Sequence, residues 1–190
     1  GRNHDGPIQH RIVAVVAAQR VDVPVECGAD DGSGTVDHRR TRISADNAEI
    51  QPYSGPLTET LQALAFESGV FSRFHTDPNF VNREFEKLYR LWIEKALAQH
   101  EVLLAKDQAG FVSCKVAEFD AQIGLIAVQT AHRGKGWGKK LIQSAENFAI
   151  QKGAQTMTIG TQAANLPASS LYHSMGYQLI EKKFIYHYWG

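Results

Sequence analysis

From Leu57 onward the apolar positions shift between helical spacing and alternation, and each shift marks an element boundary. Leu57 to Phe66 reads as a helix. Asp77 and Pro78 then offer an N-cap and a first-turn proline for a second helix running to about Gln99. Its apolar stripe is Val81, Phe85, Leu88, Tyr89, Trp92 and Ala96, the spacing of an amphipathic helix packed on a sheet. Three strands follow: Val102 to Lys106, Gly110 to Phe119, and Gln122 to Gln129. Their connections, Asp107-Gln108-Ala109 and Asp120-Ala121, are long enough only for antiparallel hairpins, so the three form a meander. Val112, Cys114 and Val116 alternate on one face of the middle strand, which makes Cys114 a small buried apolar residue.

A glycine-rich loop next opens a helix with Leu141, Ile142, Ala145 and Phe148 on its inner face and Gly153 at its end. The strand Thr156 to Gln162 follows, and a strand, helix and strand in that order form a right-handed parallel unit. A short helix from Pro167 to Met175, stopped by Gly176, and a last strand from Tyr177 to about Tyr188 complete the chain. The expected fold is α/β: a mixed sheet, an antiparallel meander followed by a parallel strand pair, with helices on both faces.

Length and composition narrow the class. The chain has 190 residues, 43% apolar and 21% charged, which suits one globular domain and excludes a disordered or fibrous chain. Twenty basic residues balance twenty acidic ones, so neither nucleic acid nor an anionic membrane is indicated as a partner, and any anion site must be local. The longest apolar run near the start, Ile12 to Ala18, is far short of the roughly 20 residues of a membrane span. Cys27 and Cys114 lack metal-type spacing, which favours free thiols, a reducing compartment and a cytoplasmic location.

Composition also shifts along the chain. No Leu, Lys, Phe, Met or Trp precedes residue 56, whereas six of the ten Arg lie at or before Arg42. Residues 1–50 are therefore set apart as a segment of uncertain structure, and 51–190 form the domain. A separate lobe, a fused leader and coding DNA read in an unexpected frame each fit this contrast. Within the segment, Ile12 to Ala18 and Val21 to Val25 are strand-like, and Asp30 to Gly34 reads as a turn.

The chemistry concentrates in Arg133-Gly134-Lys135-Gly136-Trp137-Gly138-Lys139-Lys140, between a strand and a helix. Glycines let backbone N–H groups turn inward, and the helix start adds about half a positive charge, so the loop suits a phosphate. A dinucleotide fingerprint counted from Gly134 requires a third glycine where Lys139 stands. A Walker A loop requires glycine at Arg133 and Ser or Thr at Lys140. The spacing that does match is R-x-x-G-x-G, at Arg133, Gly136 and Gly138.

At these residues the chain resembles the GCN5-related N-acetyltransferase superfamily. A second element, Asn165 with Leu171-Tyr172 and Gly176-Tyr177, is similar to that superfamily's asparagine, tyrosine and glycine signature. The resemblance covers about residues 57–189 and implies acetyl-coenzyme A as co-substrate, with no metal and no covalent enzyme intermediate. It assigns the pyrophosphate to Arg133, Gly134, Lys135, Gly136, Trp137, Gly138 and Lys139. It assigns the pantetheine arm to backbone groups of Ile126 and Val128 on a strand bulged near Gly124, and orientation of the coenzyme to Asn165, for which a helix cap is the alternative. Tyr172 is the candidate general acid, because a phenol, with an ordinary pKa of about 10, can protonate a departing thiolate. His173 projects from another helix face and has no assigned role.

Phe71-Ser72-Arg73-Phe74, Asp77-Pro78, Leu88-Tyr89 and Trp92-Ile93 resemble the sugar-nucleotide branch of the superfamily, of the dTDP-fucosamine acetyltransferase type. That branch has an arginine before its catalytic tyrosine, where this chain has Leu171. The resemblance implies a nucleotide-linked amino sugar as acceptor, of the dTDP-amino-dideoxyhexose type. Independently, Arg73 suits a diphosphate, while Phe74, Tyr89 and Trp92 suit a sugar or base. A peptide, polyamine or aminoglycoside acceptor, a non-catalytic acyl-coenzyme A sensor, and a homodimer all stay open.

Overall fold

In the computed structural model, residues 11–21 and 49–187 are described. Cys27, the Asp30 to Gly34 turn and positions 22–25 of the second strand-like stretch lie outside them. Among the described residues seven strands form one sheet in the order β2-β3-β4-β5-β6-β1-β7. They are β1 (Arg11–Val21), β2 (Ile50–Pro52), β3 (Val102–Ala105), β4 (Gly110–Ala117), β5 (Asp120–Val128), β6 (Thr156–Gln162) and β7 (Gln178–His187). β2 to β5 pair antiparallel in succession, β5 and β6 pair in parallel, and β1 pairs antiparallel with both β6 and β7. The expected meander and parallel pair are therefore present. Beside them stand the short strand β2, absent from the periodicity reading, and β1, which comes from the compositionally distinct segment.

Among the described residues five α-helices cover the two faces: α1 (Glu59–Ser68), α2 (Arg73–Thr76), α3 (Glu84–Ala98), α4 (Trp137–Gln151) and α5 (Leu166–Ser174). Leu141, Ile142 and Ala145 of α4 pack with Val112, Cys114 and Met157 on one face, and Leu61, Leu64, Phe85 and Ile93 of α1 and α3 pack with Phe111 and Leu125 on the other. Cys114 is fully buried, as its alternation with Val112 predicts.

The second helix starts six residues later than an N-cap at Asp77 implies. Asp77 instead ends α2, its N–H donating to Arg73 O, while its carboxylate accepts from the backbone N–H and side-chain amide of Asn79. That local turn competes with helix initiation, and α3 begins after Arg83, whose φ is 60°. Val81 thus lies off the helix and is 74% exposed. The stripe that packs is Phe85, Tyr89, Ile93 and Ala96, with Ile93 in the core where Trp92 was expected.

The sheet departs from regularity where the site forms. Val112 faces Ile126 and Cys114 faces Ile123, so Ser113 alone opposes both Gly124 and Leu125. One extra residue inverts the alternation of β5. Ala121 and Ile123 pack toward α4, whereas Leu125 and Ala127 pack toward α1 and α3. The bulge falls where Gly124 indicated.

Candidate active site

β5 and β6 pair from Asp120–Thr156 to Ile123–Ile159, and the ladder ends at the bulge. Beyond it the strands part into a slot. Gln129 N–H donates to Ala109 O at 2.9 Å, and Ala127 lies opposite Phe111. Odd-numbered residues of this half-strand therefore turn their amides toward β4. By alternation, Ile126 and Val128 turn theirs toward the slot, leaving backbone donors and acceptors for an extended ligand.

At the end of the slot the phosphate-type loop leads into α4. Gly134 and Gly136 have φ of 73° and 81°, and a side chain added at either would meet nothing within 4 Å. These glycines are required by backbone conformation, since a left-handed φ is costly for other residues. Gly138 is needed for a different reason: a Cβ there would sit 3.0 Å from Leu171 on α5. The first α4 turn closes with Lys140 N–H donating to Gly136 O at 3.1 Å, so the N–H groups ahead of it lack partners within the helix. They form a cradle for an anion.

The basic side chains around this cradle are differently placed. Lys135 Nζ donates to Ala131 O at 2.9 Å, and Lys140 turns back to Glu49 at 2.5 Å and over the Trp137 ring. Arg133 bonds Val128 O and the Glu67 carboxylate. Lys139 lines the cleft.

Tyr172 lies on the face of α5 turned to the core and the slot, 5% exposed and 6.3 Å from the Tyr177 ring. Burial pushes its phenol up to about 12, so it is fully protonated at neutral pH. It is also a weaker acid than a free phenol, and proton delivery from it depends on the basicity of a developing thiolate. Asn165 caps α5, its side-chain oxygen accepting from Ala168 N–H at 3.3 Å, and also lines the cleft. The cap and the cleft position coexist.

Across the cleft stands a wall from α1, α2 and α3. The Arg73 guanidinium carbon lies 4.4 Å from the Phe74 ring centre, and Tyr89 packs on Trp92 at 5.0 Å between centroids. Arg73 Nε is buried without a hydrogen-bond partner among the described residues. Tyr89 is placed by Gly69, where a Cβ would fall 2.2 Å from the tyrosine ring. Burial raises the Tyr89 phenol, with Ser72 and Arg73 opposing that rise.

The slot beside β5, the glycine-loop cradle, Tyr172 and the aromatic wall belong to one cleft of about 1130 Å³. It brings together every residue given a coenzyme, acceptor or catalytic role from the sequence except Lys135. Sequence reading missed Glu67 and Ser72, which the cleft also contains. Ser72 lay within a quoted segment, whereas nothing local distinguishes Glu67, whose partner is 66 residues away. Among the described residues no cluster of three or more His, Cys, Asp or Glu is arranged to hold a metal ion.

Residues 62–177 match the Acetyltransferase (GNAT) family pattern. The chain belongs to that family. Over 124 residues it is 32% identical to the dTDP-fucosamine acetyltransferase of Escherichia coli O6:H1, covering 61% of this chain and 52% of that one. Over 73 residues it is 33% identical to the streptothricin acetyltransferase of Streptomyces lavendulae, covering 37% of this chain and 39% of that one. The chain thus spans about half the length, or less, of these curated relatives. The PaiA N-acetyltransferase of Thermoplasma acidophilum, solved with coenzyme A, shares the fold at a TM-score of 0.57 and 19% identity, over 72% of this chain and 98% of that one.

Acetyl-coenzyme A is the co-substrate of the GNAT acetyltransferases. The open cradle at Gly134 and Gly136 fits its pyrophosphate, and the slot edge formed by the Ile126 backbone and the Val128 N–H fits its amide-bearing arm. Among the described residues no helix is long and apolar enough to cross a membrane.

Proposed function

We propose that the chain is an N-acetyltransferase that transfers the acetyl group of acetyl-coenzyme A to the amine of a nucleotide-linked amino sugar of the dTDP-amino-dideoxyhexose type. The observation that carries this reading is the single cleft joining a parted-strand slot to a wall bearing Arg73 and three aromatic rings. The loop from Arg133 to Lys139 borders the pyrophosphate, and backbone groups of Ile126 and Val128 hold the pantetheine arm. The neutral amine attacks the thioester carbonyl, the C–S bond breaks as the C–N bond forms, the Tyr172 hydroxyl protonates the departing sulfur, and the proton lost by the acetylated nitrogen passes to solvent, from which Tyr172 is reprotonated.

Charge favours an anionic acceptor. Glu67 is the one carboxylate among the cleft-lining residues, and it is paired with Arg133. A polyamine or aminoglycoside would find little to neutralise its several ammonium groups. Arg73, whose buried Nε has no hydrogen-bond partner among the described residues, suits a diphosphate, while Phe74, Tyr89 and Trp92 suit a sugar or base. Every assigned position lies in residues 51–190, while β1, from the segment 1–50, joins the same sheet between β6 and β7.

The test is release of free thiol from acetyl-coenzyme A against a panel of amines. Turnover with amino sugars on nucleotides, above that with peptides, polyamines and aminoglycosides, supports the acceptor class. Coenzyme binding without turnover on any amine would instead favour an acyl-coenzyme A sensor.

A further inference from the structure

Arg133 begins the phosphate-type loop, yet its guanidinium is engaged within the protein on two sides. Nε donates to Val128 O at 3.2 Å, and Nη2 donates to the Glu67 carboxylate. Val128 is the last residue of β5, and Glu67 lies in the final turn of α1. The chain runs from Glu67 through Gly69, against which the Tyr89 ring packs, to Ser72 and Arg73. One side chain thus ties the end of the donor strand to the base of the acceptor wall. Its hydrogen bond also removes the Val128 carbonyl from the slot edge, leaving the Val128 N–H and the Ile126 amide groups there.

We propose that Arg133 is a positioning residue that clasps β5 to α1 and holds the acceptor wall in register with the donor slot, rather than a ligand of the coenzyme phosphates. The phosphates are then met by the loop N–H groups, with Lys139 at the cleft. A planar guanidinium can reach a carbonyl and a carboxylate at once, which a lysine ammonium at this position would do less well. The side chains of Arg133 and Glu67 are 52% and 36% exposed, so the pair adds little to global stability, and its effect is local restraint. The inference rests on the acetyltransferase reading only where acceptor turnover is measured.

The test compares the wild-type chain with Arg133→Gln, Glu67→Gln and the double variant. Amide hydrogen exchange over residues 67–76 reads the wall, and calorimetry with coenzyme A reads the donor site. Each single variant should speed exchange in that segment by about 2–5-fold, the range expected for one partly exposed ion pair. The double variant should be no faster than either single one, the signature of a shared interaction. Coenzyme affinity should stay within about twofold for Glu67→Gln, and the acceptor KM should rise more than kcat falls in both single variants.

A phosphate-ligand role predicts the opposite pattern. Arg133→Gln would then weaken coenzyme A by about tenfold or more, as expected for loss of a charge-assisted contact, without speeding exchange over residues 67–76. That result, additive effects in the double variant, or unchanged exchange over 67–76 would overturn the clasp. If the wild-type chain acetylates no amine, the acetyltransferase reading falls, while exchange and calorimetry still decide the role of Arg133.

Discussion

The Ser113 hydroxyl accepts the Leu125 N–H at 2.8 Å, across the point where β5 carries its extra residue. A bulge leaves one amide outside the ladder, and at a buried position such an amide must find another acceptor. Ser113 supplies it from the opposing strand. A Cβ on Gly124 would come within 3.1 Å of the same hydroxyl oxygen, so the glycine and the serine fit each other. The bulge that opens the slot is therefore held by a specific pair of residues.

Replacing Ser113 with Ala leaves the Leu125 amide buried without its acceptor. The expected cost is about 1–3 kcal/mol of stability. Coenzyme affinity should fall as well, because Ile126 and Val128 take their orientation from this bulge. Chemical denaturation and calorimetry check the two effects. Ser113→Thr, which retains the hydroxyl, should recover most of both.

Substituting Val at Gly136 or Gly138 should weaken coenzyme binding for two distinct reasons. At Gly136, the 81° φ is strained for a β-branched residue, by about 1–2 kcal/mol, and the cradle changes shape. At Gly138, the added atoms press on Leu171 and shift α4 against α5. Calorimetry should show the loss in both variants, and only the Gly138 variant should also disturb Tyr172, visible as a lower turnover at saturating coenzyme.

Tyr172→Phe keeps the buried ring and deletes one hydroxyl. Turnover should fall by roughly 10²–10⁴-fold, the usual effect of a positioned general acid, with coenzyme affinity nearly unchanged. Retention of more than about a third of wild-type turnover, far above that range, would remove Tyr172 from the mechanism.

Gly69→Ala tests the acceptor wall. An alanine Cβ cannot coexist with the Tyr89 ring, 2.2 Å away, so the ring must move. Acceptor KM should rise while coenzyme affinity stays the same. Steady-state kinetics with each substrate varied in turn separate the two.

Alkaline conditions should destabilise the fold through its buried acids. Burial raises Tyr172 to about 12, and burial with the nearby Glu101 charge raises Cys114 to about 12. Both groups hold their protons longer when folded than when unfolded, so their contribution is fully present below the ordinary pKa values, about 8.5 for the thiol and about 10 for the phenol, and is lost as pH rises toward 12. Stability measured from pH 7 to pH 11 should decline above about pH 8.5, and Cys114→Ala should show a shallower decline.

The sequence by itself determined the meander, the parallel unit and the glycine loop, because each rests on local signals. Alternation in Val112, Cys114 and Val116 buries one face wherever the strand is placed, and short connections leave hairpins as the only route. The R-x-x-G-x-G spacing and the Tyr172 segment are likewise contiguous, which is why they were legible without coordinates. The start of α3 was not. Asp77 and Pro78 are compatible with a helix start, and the turn made by Asp77 with Asn79 prevailed only in its folded setting. Tertiary structure alone decided the pairings that cross the chain: Ser113 with Leu125, Gly69 with Tyr89, and Glu67 with Arg133. Their partners come from different elements and carry no spacing signal. A bulge, a close ring contact and an ion pair exist only once the sheet has brought distant segments to one cleft.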